Sequence, residues 1–63
     1  MPVTKQDLIA LKRLLISARI ATQEAAARAR RIGDERLAAR LRSLVDLMAN
    51  ELDGLEHALS QLP

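Results

Sequence analysis

The chain has 63 residues, a net charge of +2, and neither cysteine nor aromatic side chains. That length bounds it to one small domain, in which burial barely offsets a conformational entropy of roughly 1.5 kcal/mol per ordered residue. Disulfides and cysteine-based metal sites are excluded, large aromatic anchors are missing, and a partner chain is the remaining route to stability. No stretch approaches the ~20 apolar residues needed to cross a bilayer. The N-terminus lacks the order of a signal peptide. A soluble cytoplasmic protein without membrane contact is expected.

Apolar residues recur at three-four spacing in two stripes of matched length, the pattern of helices packed along a seam. The first runs through Leu8, Leu11, Leu15, Ala18, Thr22, Ala25, Ala29 and Ile32. Helix one is expected over about 5–32. Thr4 is placed to cap it, with Asp7 closing a short capping box and Val3 stapling to Leu8. Pro2 lies just before it and cannot extend it backward.

Gly33 suits the left-handed conformation past a helix end, and Asp34 follows as N-cap of the next helix. Helix two is expected over about 35–62, on the stripe Ala38, Leu41, Val45, Met48, Leu52, Leu55, Leu59 and Leu62. Each helix then spans about 28 residues, roughly 42 Å. Folding at the 33–34 turn sets Leu8 against Leu59, Leu15 against Leu52, Thr22 against Val45 and Ala29 against Ala38. Ala18 approaches Met48 between these layers. The fold class is therefore all-α, an antiparallel two-helix hairpin.

Further apolar residues widen both stripes: Ile9, Leu14, Ile16 and Ile20 on helix one, and Leu37, Leu44 and Leu47 on helix two. A hairpin has no third element to cover them, and an uncovered apolar patch marks an interaction surface. Dimerisation into a four-helix bundle is the expected solution, with folding onto a different protein as the alternative.

Charge is unevenly placed. Residues 1–33 carry seven basic and two acidic side chains, and residues 34–63 three basic and six acidic. Six arginines lie near the turn: Arg28, Arg30, Arg31, Arg36, Arg40 and Arg42. Asp46, Glu51, Asp53 and Glu56 lie toward the open end. Arginine forks match phosphate oxygens, which points to RNA or another polyanion. The plainer reading is self-complementarity, the basic tip of one hairpin lying beside the acidic end of an antiparallel partner. Lacking aromatic surface, the chain has nothing on which bases could stack.

No catalytic residue, metal site or cofactor is patterned. His57, with Asp53 four residues before it, reads as an exposed helix residue, and Gly54 occupies the place where a Glu-x-x-His metal motif would need its glutamate. Ser17, Thr22 and Ser43 have no adjacent base. Gly54 costs helix two about 1 kcal/mol relative to alanine, and either permits close helix approach or is simply tolerated.

Thr4-Lys5-Gln6 followed by Ala10-Leu11 resembles the opening of the Rop family, small plasmid RNA-binding proteins built as antiparallel dimers of helical hairpins. Ser43-Leu44, Asp46, Ala49 and Glu51-Leu52 resemble its second helix after a one-residue slip. The resemblance implies a four-helix bundle that contacts RNA along its first helices. At the positions matching that family's Asn, Phe and Gln contacts stand Lys12, Ile16 and Ile20. Separately, Ala49-Asn50-Glu51-Leu52-Asp53 resembles the Ser-Gln-Glu-Leu-Asp signature of the hairpin aspartyl-phosphate phosphatases, with Ala49 in place of the serine. The Leu-rich end, Leu55, Leu59 and Ser60-Gln61-Leu62, resembles that of hairpin co-chaperones of type III secretion.

The expected function is that of a non-enzymatic interaction or regulatory module. Lys5, Lys12 and Arg19, with Arg28, Arg31, Arg36 and Arg40 at the tip, are the candidate RNA contacts. Ile9, Leu14, Ile16 and Ile20, with Leu37, Leu44 and Leu47, are the candidate interface. Expected partners are a second copy, RNA, or a different protein with which this chain would fold as an adaptor or secretion co-chaperone.

Overall fold

Both helix starts follow from their caps. In the computed structural model, which describes residues 3–63, α1 runs Lys5–Arg31 and α2 runs Glu35–Ser60. Asp7 N–H donates to Thr4 Oγ1 at 3.1 Å, and Thr4 N–H donates back to Asp7 Oδ2 at 3.3 Å. This reciprocal box satisfies donors that a helix start otherwise leaves open. Asp34 Oδ1 accepts from Leu37 N–H at 3.0 Å and starts α2 in the same way. The expected staple is weaker, since Val3 stays 66% exposed. Pro2 lies outside the described residues.

The turn is built as the sequence predicts. Gly33 adopts φ +86°, where only glycine sits without steric cost. Asp34 N–H donates to Ala29 C=O at 2.9 Å and Gly33 N–H to Arg30 C=O at 3.1 Å. This pair of bonds is the Schellman arrangement, which satisfies the carbonyls at the end of α1. Helix one stops one residue earlier than expected, because Ile32 is the cap, and Ile32 stays 78% exposed.

The helices pack into a thin rod, 48 × 18 × 15 Å. Alanines close it near the turn, where Ala26, Ala29 and Ala38 are buried, and Leu52 is the one large side chain buried among the described residues. Every expected seam position of α2 is buried or half-buried. Across the seam Thr22 Oγ1 lies 3.9 Å from Met48 Sδ, while also donating to Ala18 C=O at 2.7 Å. Thr22 thus reaches a residue one turn beyond Val45, its expected partner.

On α1 the seam is rotated from the expected stripe. Leu8, Leu15, Ala18, Thr22 and Ala29 are in it, but Leu11 and Ala25 are exposed. Lys12, Arg19 and Ala26 are covered instead. The reason is physical: long basic side chains lay their methylenes along apolar surface while their heads reach outward. Ala26 takes the seam as readily as Ala25, because alanines offer no difference in bulk.

Gly54 permits no close approach. A Cβ placed there would meet nothing within 4 Å, so this glycine only weakens the helix. Gly54→Ala is expected to raise stability by about 1 kcal/mol, read as an increase of several degrees in thermal midpoint by circular dichroism.

Candidate interaction surfaces

Two flanks of the hairpin differ sharply in chemistry. On the first, Leu11 and Leu15 of α1 and Leu44, Leu47, Met48 and Leu55 of α2 line an open groove of about 340 Å³, with Glu51 at its edge. The 3.6-residue period carries this surface on through Leu14 and Ala18 of α1, and through Leu37 and Leu41 of α2. Leu14 is 70% exposed and Leu47 58%. Leucines at such exposure on one contiguous flank form an apolar face that a lone hairpin cannot cover.

The expected interface residues divide between the flanks. Leu14, Leu37, Leu44 and Leu47 belong to the leucine face, and so does Leu11, which the sequence placed in the internal seam. Ile9 and Ile16 are half-buried. They share a seven-residue row with Gln23 and Arg30, which puts them on the other flank. Ile20 is exposed, one turn beyond Ile16 toward the outer side of α1.

That second flank sets charged residues beside these half-buried isoleucines. Lys12 Nζ pairs there with a Glu56 carboxylate oxygen, the one ion pair among the described residues. Being partly exposed, the pair contributes well under 1 kcal/mol. It does neutralise part of the acidic end of α2 within the same hairpin. Arg19 is half-buried, and its Nε is buried without a hydrogen-bond partner. Two of the expected RNA contacts are therefore partly committed to the seam.

Nearer the turn, the same flank holds a groove of about 410 Å³. It is lined by Gln23, Ala26, Ala27 and Arg30 from α1 and by Arg42, Val45 and Asp46 from α2. Arg28, Arg31, Arg36 and Arg40 are exposed around the turn. Lys5 lies a whole helix away, about 39 Å along α1 from Arg31 at 1.5 Å per residue. The expected basic residues thus do not form one surface. Arg30 and Arg42, two of the six arginines expected at the basic tip but not named as RNA contacts, line one groove across the seam. A helical wheel would have placed both on one flank once the register was known; counting arginines near the turn could not.

His57 is exposed, and its carbonyl accepts from Ser60 Oγ at 2.6 Å. Among the described residues no hydrogen bond joins its side chain to Asp53, and no group of three His, Cys, Asp or Glu side chains gathers as a metal site would require. No helix is long and apolar enough to cross a membrane.

The chain matches no protein-family model, no curated protein and no solved structure. Of what the resemblance to the Rop family implies, the helical hairpin is present. The class defined by fold and surface is that of a two-helix hairpin with a leucine-rich flank and a flank that mixes charged residues with half-buried isoleucines.

Proposed function

We propose that this chain is a non-enzymatic interaction module that works as a pair, two hairpins meeting leucine face to leucine face in a four-helix bundle. One observation carries this reading: leucines are spent on an open flank while the internal seam buries a single one. Covering a half-exposed leucine contributes about 1 kcal/mol, and a symmetric contact counts each residue twice. A second copy supplies what small domains otherwise obtain from disulfides or metals.

Charge favours the antiparallel arrangement. A parallel pair would bring two six-arginine tips together, and like charges side by side are costly. Antiparallel packing separates the tips to opposite ends and sets each beside Glu51 and its acidic neighbours on the other copy.

The arginine-rich tip favours a second activity of the same module, binding RNA or another polyanion. Arg28, Arg31, Arg36 and Arg40 stay exposed and outside the ion pair that occupies Lys12. Such binding would be regulatory in kind and steeply salt-dependent.

Light scattering on a size-exclusion column, with circular dichroism on the same peak, tests the pairing. The expected result is a helical species of twice the 7.0 kDa chain mass, whose melting temperature rises with concentration. A well-folded monomer would overturn it. A poorly helical or aggregating chain would instead assign the leucine face to a different protein, as the adaptor reading requires.

A further inference from the structure

We propose that the groove between Arg30 and Arg42 binds a ribose phosphate of an RNA backbone. This rests on the polyanion reading above and names the site and the ligand chemistry. Arg30 and Arg42 line one groove from different helices. Neither takes part in the ion pair of the described residues, so their donors remain available to the bidentate pairing that phosphate oxygens accept.

The other lining residues matter as much as the arginines. Ala26, Ala27 and Val45 are short, so none of them blocks a phosphate from approaching both arginines. Asp46 lines the same groove. Its carboxylate repels a bare anion, so a ligand that carries a hydrogen-bond donor beside its negative charge fits this lining better. The 2′-hydroxyl next to an RNA phosphate is such a donor, and DNA lacks it. Gln23 adds an amide able to meet either group. With no aromatic residue in the chain, recognition is of the backbone and not of the bases.

The groove lies on the flank away from the leucine face, so pairing of two hairpins leaves it open. An antiparallel bundle carries one such groove toward each end.

Fluorescence anisotropy with labelled RNA of about 20 nucleotides and the same-sequence DNA, at low salt, reads the outcome on the full chain. RNA is expected to bind more tightly than DNA. The Arg30→Gln/Arg42→Gln double variant should weaken RNA binding at least about tenfold. Arg28→Gln/Arg36→Gln, which removes the same charge from the outer surface of the tip and with it two of the general polyanion contacts named above, should weaken it severalfold but clearly less than the groove variant. Asp46→Ala should bring the RNA-to-DNA ratio close to one.

Equal losses in the two double variants would overturn the groove while leaving the polyanion reading intact. An unchanged ratio in Asp46→Ala would overturn the 2′-hydroxyl contact. Absence of binding of either nucleic acid by the wild-type chain would end both readings, and preference for a phosphopeptide over RNA would overturn the ligand named here. The side-chain Nε–H resonances of Arg30 and Arg42 in the unaltered protein give a check that does not depend on how variants fold. They should move on RNA titration, and movement confined to Arg28 and Arg36 would count against the groove.

Discussion

Leu44→Glu/Leu47→Glu is expected to abolish pairing and give a monomeric chain at concentrations where the wild type is dimeric. Each leucine lost from the shared face removes about 1 kcal/mol of burial. Each glutamate adds the cost of taking a charge out of water or of holding the two faces apart. Symmetry doubles both effects, so the total is at least about 5 kcal/mol, or more than a thousandfold in dissociation constant. Sedimentation across a concentration series measures this directly. Circular dichroism on the same samples shows whether the separated hairpin stays helical, and either result is compatible with a pairing face. An unchanged dimer with an unchanged melting temperature would mean that Leu44 and Leu47 face solvent in the assembly as they do in the single chain, and the leucine-face bundle would be wrong.

Leu52→Ala probes the other side of the energetics, the seam inside each hairpin. Leu52 is 7% exposed, the one large side chain buried among the described residues. Removing a buried leucine typically costs about 2–5 kcal/mol, the lost transfer energy plus the cavity left behind. Here the rest of the seam is alanine or half-buried, so little can collapse into the gap. A loss of about 3 kcal/mol corresponds to a fall of at least about 12 °C in thermal midpoint for a domain of this size, measured at fixed chain concentration. The contrast with Leu47→Ala is informative. That substitution should leave the hairpin's own packing intact and act only through association, so its effect should shrink as the protein is diluted. A Leu52→Ala midpoint within a degree or two of wild type would show that Leu52 does not anchor the seam.

The two experiments together separate internal packing from association. A chain this small holds both in the same few leucines. Leu52 is committed to the fold, Leu47 is open, and Leu15, Met48 and Leu55 border both the seam and the leucine groove. Loss of the partner would therefore be felt in the seam as well, and melting of the wild type should couple to dissociation in one transition.

Local chemistry made much of the architecture readable from residues alone. The Thr4–Asp7 box, the Asp34 cap and the left-handed Gly33 act over three or four residues, so their geometry is written in the order of the side chains. The stripe on α2 was equally legible, because leucine, valine and methionine contrast with the charged residues between them. Only the pairing of the helices decided the rest. Helix one mixes alanines with long basic side chains, and an Ala25-Ala26-Ala27 run carries no preference for one face. The choice of Ala26 over Ala25, the covering of Lys12 and Arg19, and the turning out of Leu11 follow from the rotation at which α1 meets α2. The same rotation divides Leu14, Leu44 and Leu47 from Ile9 and Ile16, and it brings Arg30 and Arg42 to one groove. The sequence by itself determined the caps, the turn and two amphipathic helices, since these depend on neighbours along the chain. Which apolar side chains stay open for a partner, and which arginines converge, was decided only by the tertiary structure, because it depends on the register and rotation of one helix against the other.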